Sequence, residues 1–300
     1  MFFRRVIFGT FPKFCKEKDC CSKKSPLLSK CRYCRFQICV QAGMMYTPSG
    51  NSIDHQHSDS VIAVINNLSY LDNQRSQKFQ NFYVVEDPTM EELAETGSIR
   101  FELREKDFKM NMGDWGFMTA ITAVDYMKKL NFVNLLGLAD RKVFLKSTYF
   151  HFSVFVSAMK SFQEKRGVMV FPDGTDVIPG DRYPISKKLE NRIRCLLVGR
   201  LAELNVTNEE FLALGVLFFC NPALSGLSDH ARSLLASTQR AYSSTLLQHC
   251  LLTYQQSGPS RFTDLLSLCH VINKTLEDME HHFVLFKIYE PTAQYRKLFG

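Results

Sequence analysis

Six cysteines fall within 25 residues, at Cys15, Cys20, Cys21, Cys31, Cys34 and Cys39. A stretch this short holds too little apolar surface to fold around a core of its own, so something must cross-link it. Disulfides belong to secreted chains. The apolar run in Met1 to Phe8 is too brief for a secretion signal and has no small-residue cleavage site after it. Zinc is therefore the expected cross-link. The pair Cys31-x2-Cys34 can present two thiolates from the first turn of a helix, and the earlier cysteines supply two more for a tetrahedral site. The ligand set is Cys15, Cys21, Cys31 and Cys34; Cys20 can replace Cys21, which leaves one ligand open. Cys39 lies one turn and a residue past Cys34 and reads as a packing residue, with Gly43 as the helix C-terminal cap. The remaining cysteines, Cys195, Cys220, Cys250 and Cys269, sit in apolar helical contexts and read as reduced core residues.

Charge is segregated in the same way. Residues 1–39 hold ten Lys and Arg against Glu17 and Asp19, while the rest of the chain is close to neutral. A basic block beside a neutral domain calls for a polyanion, with nucleic acid first and anionic membrane second. No apolar run is long enough to span a bilayer; the longest, Phe211 to Phe219, falls well short. The apolar fraction of 45% is enough for a sizeable core, and the chain reads as a soluble intracellular protein.

The cysteine spacing, followed by Cys31-Arg32-Tyr33-Cys34-Arg35-Phe36-Gln37 and, further on, Cys39 and Gly43-Met44, resembles the second zinc module of nuclear hormone receptors. Phe2-Phe3-Arg4-Arg5 is similar to the end of the receptor recognition helix. The resemblance implies zinc as cofactor, a nuclear location and contact with DNA. Base contacts supply sequence specificity and phosphate contacts supply position. The residues available are of the phosphate type: Arg4, Arg5, Lys13, Lys23, Lys24, Arg32 and Arg35. Against the family pattern, the chain begins inside the recognition helix. The first finger is then expected to be missing and DNA binding to be weak and phosphate-dominated.

Residues 45–57 are polar and read as a linker, dividing a zinc module at 1–44 from a helical domain at 58–300. Apolar spacing predicts helices over Ser58–Phe79, Met90–Glu95, from an Asp114 cap to about Leu130, and over Asp140–Phe162. The second-last of these is apolar around much of its circumference, which places it inside a layered bundle. Thr207-x-x-Glu210 is a capping box before Phe211 to Phe219. A last long helix is expected over Phe262–Ile288, with Leu265, Cys269, Ile272, Leu276, Met279, Phe283 and Phe286 forming a straight seam suited to helix pairing. Val168 to Ile178, around Pro172-Asp173-Gly174, reads as a small hairpin. The fold class is mostly α: a small four-cysteine zinc module, then an all-α layered helical domain with one short β-hairpin.

Tyr126-Met127-Lys128, Asp140-Arg141 and Phe144-Leu145-Lys146 resemble the signature joining the third and fourth helices of nuclear receptor ligand-binding domains, although Met127 and Arg141 depart from its usual residues. Asn221 to Leu227 and Ser257 to Phe262 resemble stretches of the divergent receptors expanded in nematodes. The resemblance implies an apolar ligand, homo- or heterodimerisation through helix 262–288, and a coregulator groove with Lys128 and Lys146 on its lysine side. The acidic side of that groove lies on a final activation helix, which is expected to be absent because nothing acidic follows Pro291. No nucleophile elbow, phosphate loop or paired-histidine zinc motif is present, so no enzyme is expected. The leading reading is a receptor-type transcription regulator. The alternative is an interaction-only receptor that dimerises with full receptors without recognising DNA.

Overall fold

The computed structural model describes residues 2, 6, 31–41, 44, 55–105, 107–178, 185–292 and 295–299. Helix α1 spans Arg32–Gln41 and α2 spans His55–Asn81. A two-strand antiparallel sheet joins β1, Phe82–Tyr83, to β2, Glu102–Leu103, with Phe82 opposite Leu103 and Tyr83 opposite Glu102. Between the strands lies the short helix α3, Met90–Glu95. Then come α4 (Met112–Lys128), α5 (Asn131–Leu135), α6 (Leu138–Gln163), α7 (Lys187–Glu203), α8 (Asn208–Phe219), α9 (Asp229–Tyr254), α10 (Gly258–Leu266) and α11 (Leu268–Tyr289).

The apolar faces dictate the layers. Every residue of α4 from Phe117 to Met127 is buried, as is all of α8 from Glu210 to Leu217. Helices apolar all round must lie inside. Accordingly α4, α6 and α8 form the middle, α2 lies across α4, α8 and α9 on one side, and α7 and α11 cover α6 on the other. The interior is aromatic: Tyr126 stacks on Phe152 at 4.8 Å, and Phe152 meets Phe219 edge-on at 4.8 Å.

Several expectations shift. Helix α2 starts at His55, three residues inside the expected linker, and runs to Asn81. The cap of α4 is Asn111, not Asp114; Asp114 is the third helical residue, and its carboxylate accepts from the Asn111 amide. Both form one capping box, so the acid was legible but its position in the box was not. The Thr207–Glu210 box stands as read.

The expected helix over 262–288 is two helices meeting at Ser267. The Ser267 hydroxyl donates to the Asp264 carbonyl at 2.5 Å and accepts from Arg200 at 3.2 Å, which diverts the chain at the joint. The straight seam is therefore lost. Leu265, Ile272 and Leu276 are buried, whereas Cys269 and Phe283 are exposed.

The segment Val168 to Ile178 closes one isolated bridge, Val170 to Asp176, rather than a ladder; the two-strand sheet lies at 82–83 and 102–103 instead. Side chains take the amides a ladder would use. Asp173 accepts from Thr175 at 2.9 Å and Asp176 from Ile178 at 3.0 Å, while Pro172 has no amide to give. Of the four cysteines expected in the core, Cys220 and Cys250 are buried, Cys195 is half-buried and Cys269 is exposed. Helices α5, α7 and α9 were not foreseen.

Candidate functional site

Cys31 immediately precedes α1 and its carbonyl accepts from the Arg35 amide at 2.9 Å, so Cys31 and Cys34 flank the first helical turn. Residues three apart on a helix are surface neighbours. Cys34 is fully buried and Cys31 half-buried. Two soft sulfur donors at this spacing fit half of a tetrahedral zinc site, and the metal would neutralise and cross-link them. Cys15, Cys20 and Cys21 lie outside the described residues, as do Arg4, Arg5, Lys13, Lys23, Lys24 and Gly43. Among the described residues no group of three or more His, Cys, Asp or Glu gathers as a metal site.

Arg32 and Arg35 are exposed on the same turn. The Arg35 guanidinium lies 4.4 Å above the Phe2 ring. Tyr33 and Phe36 of α1 are buried and meet Tyr70 of α2 at 6.2 and 5.1 Å between ring centres. Cys39 is half-buried against the same core, and the Met44 amide bonds back to its carbonyl at 2.9 Å. The helix that carries two candidate zinc ligands thus packs on the helical domain at Tyr70.

Lys128 and Lys146 stand in different surroundings. Lys146 is exposed on α6. The Lys128 ammonium donates to the carbonyl of Leu93 at 2.5 Å and to that of Thr96, both at the end of α3. Burial holds the Lys128 pKa below the ordinary lysine range, Asp125 opposes that, and nearby Arg141 adds to it.

A cleft of about 740 Å³ opens between α6, α8, α9, α10 and α11. Its floor is apolar, with Phe155, Leu217 and Ile272 buried, and its rim carries His151 and Arg240. Partial burial lowers the His151 pKa, against the pull of Glu280 and a Ser147 backbone hydrogen bond. Such a volume is within the range of small-molecule sites. Nothing in residue type marked it beforehand, because its walls come from five separate helices.

Residues 101–289 match the ligand-binding domain of nuclear hormone receptors, and residues 1–46 match the C4-type double treble clef zinc finger. The chain is 38% identical to nuclear hormone receptor family member nhr-167 of Caenorhabditis elegans, over 99% of this chain and 88% of that protein. Family members nhr-9 and nhr-27 of the same organism are 34% and 38% identical, covering 99% and 98% of this chain and 87% and 82% of theirs. The chain belongs to the nuclear hormone receptor family. It is a nuclear receptor-type transcription regulator, built from a zinc-binding C4 module for DNA and a helical ligand-binding domain. The receptor's resemblance read from the cysteine spacing and the Lys128–Lys146 signature is borne out, as are zinc and the mostly helical fold. No helix of the described residues is long and apolar enough to cross a membrane. Nuclear receptors typically work in the nucleus and act as regulators rather than enzymes.

Three features of the receptor escaped sequence reasoning: the cleft, the docking of Lys128 on α3, and the ion pair between Glu210 and Arg261. Helix α3 itself stands as read over Met90–Glu95, and its Thr89–Glu92 box was a further signal for it.

Proposed function

We propose that this receptor works in the nucleus with residues 1–44 as its zinc module, 45–57 as linker and 58–300 as ligand-binding domain. Zinc is held by Cys15, Cys21, Cys31 and Cys34. Arg4, Arg5, Lys13, Lys23, Lys24, Arg32 and Arg35 contact DNA phosphates. The observation that carries this reading is the placement of α1. Its first turn offers Cys31 and Cys34 to a metal and, from the same turn, the exposed Arg32 and Arg35 to a polyanion. Tyr33 and Phe36 of the same helix pack against Tyr70.

The 740 Å³ cleft is the candidate seat of a small apolar ligand. Dimerisation runs through α10 and α11, where Val284 and Ile288 are left 58% and 64% exposed. The surface carrying Lys128 and Lys146 takes a coregulator. The decisive experiment measures zinc content and duplex binding on the full chain, with Cys34→Ser as the comparison. Stoichiometric zinc and retained DNA affinity in Cys34→Ser would remove the basis of this reading.

A further inference from the structure

Lys128 sits where a receptor would grip a partner helix, yet its ammonium is already spent on a helix of its own chain. It donates to the carbonyls of Leu93 and Thr96 at the end of α3. The last carbonyls of any helix lack intrahelical partners and carry partial negative charge, so a lysine there is favoured twice. Lys142 adds an ion pair to Glu95 at 2.6 Å. Arg141 stands close by, with its buried Nε unmatched among the described residues. Two cations, Lys128 of α4 and Lys142 of α6, thus hold the C-terminal end of α3, with Arg141 beside Lys128.

The body of α3 has the pattern of a docking peptide. Met90, Leu93 and Ala94 are buried against α6, at i, i+3 and i+4, whereas Glu91, Glu92 and Glu95 face outward. Thr89 and Glu92 close the other end in a capping box. Short amphipathic helices bind apolar grooves through this spacing of anchors.

The segment is also bounded at its base. Strands β1 and β2 clasp its two ends. Below the clasp Lys78 lies 4.1 Å over the Phe101 ring, and Arg104 bonds the carbonyls of Phe79 and Gln80. Residues 84–101 therefore form a loop closed at its base by the strand pair. A helix of six residues has no stability of its own, so α3 persists only through the groove contacts. The Asp87 carboxylate accepts from the Lys297 amide at 3.1 Å, tying the C-terminal turn to the same loop.

We propose that the surface of α4 and α6 between Lys128 and Lys142 is a helix-docking groove that the receptor fills with its own α3. A coregulator helix with apolar anchors at i, i+3 and i+4 then binds by displacing α3. This rests on the reading of the Lys128 surface as coregulator-binding. Tethered α3 competes at an effective concentration on the order of millimolar, which weakens any partner's apparent affinity. A partner with leucine at all three positions still has the advantage, because it brings more apolar surface than Met90, Leu93 and Ala94 together.

The test titrates a labelled Leu-x-x-Leu-Leu peptide against full-length receptor, with hydrogen exchange of the amides 91–96 read in parallel. Two variants loosen α3: Met90→Asp with Leu93→Asp, and Glu95→Lys, which sets like charge against Lys142. Glu95 is half-exposed, so its variant keeps the fold even if the first does not. The expected result is weak binding by wild type and at least about tenfold tighter binding by the variants. The gain disappears when Lys128→Ala is added, and saturating peptide exposes amides 91–96 in wild type. Equal affinity of wild type and both variants, with α3 still protected in the complex, overturns self-occupancy and leaves the coregulator surface standing. Failure of every form to bind peptide overturns the coregulator reading and this inference with it.

Discussion

Arg261 grips Glu210 with two hydrogen bonds, from Nε at 2.7 Å and from Nη2 at 2.5 Å, and the carboxylate is wholly buried. The same guanidinium donates to the Leu204 carbonyl at 2.6 Å, joining α10 to the end of α7. Glu210 also accepts from the Thr207 amide, so one carboxylate caps α8 and anchors α10. Removing one partner of a buried pair strands the other's charge, which typically costs about 3–5 kcal/mol. Arg261→Ala is expected to lose that much stability. In a domain of this size the melting temperature should fall by on the order of 10 °C, read by calorimetry or circular dichroism. A loss below about 1 kcal/mol would mean the pair is not formed in solution.

The acid limb of stability follows from the same residue. Burial pushes the Glu210 carboxyl up, but the Arg261 hydrogen bonds and the Thr207 amide outweigh it and hold it below the usual carboxylate range. Asp278 is likewise held low, first by its hydrogen bonds to Arg192 at 2.7 Å. A carboxylate with a depressed native pKa stabilises the fold above its unfolded pKa, about 4. That stabilisation is lost as pH falls through the native value. Denaturant midpoints measured from pH 6 to pH 2 should therefore drop, and Asp278→Asn should flatten the drop. An unchanged slope in Asp278→Asn would contradict the assignment.

Buried His282 works at higher pH. Burial lowers its pKa to about 4, against an ordinary value of 6.5. Between those values the unfolded chain binds the extra proton, so stability rises with pH across the window. His282→Leu should reduce the pH dependence between about 6.5 and 4. The same chemical-denaturation series checks it, and an identical profile in the variant would refute it.

Tyr70 links the zinc module to the ligand-binding domain. It meets Tyr33 and Phe36 of α1, and its hydroxyl accepts from Gln74 at 2.7 Å. Tyr70→Ala removes a large buried ring, a change that typically costs about 3–5 kcal/mol. The loss should appear first as faster hydrogen exchange in residues 32–41, with α4 and α8 protected for longer. Uniform loss across all helices would show that α1 has no separate dependence on Tyr70.

Patterns confined to one segment were legible in the sequence. The x2 cysteine pair, the Thr207–Glu210 box, and the all-round apolar face of α4 each depend on residues within a few turns, and each appears where it was read. Features that depend on distant partners were not. The bend at Ser267 comes from a local hydroxyl bond reinforced by Arg200, from another helix. The hairpin at Val168 to Ile178 failed because Asp173 and Asp176 took its amides, and Asp176 is further tied to Arg194 at 2.6 Å. Of the site, residue types were readable, but the burial of Lys128 on α3 depended on a segment 32 residues away folding back.

The central claim is that a zinc-held basic module of this receptor binds DNA through phosphates. Its most direct test is fluorescence anisotropy of a labelled duplex against the full chain, titrated over a range of salt with zinc present and again after chelation. The expected result is zinc-dependent binding whose log affinity falls linearly with log salt. Arg32→Ala with Arg35→Ala should make that slope shallower by about two, one for each phosphate no longer neutralised. Binding that survives chelation unchanged, or a slope unaltered by loss of both arginines, would contradict it.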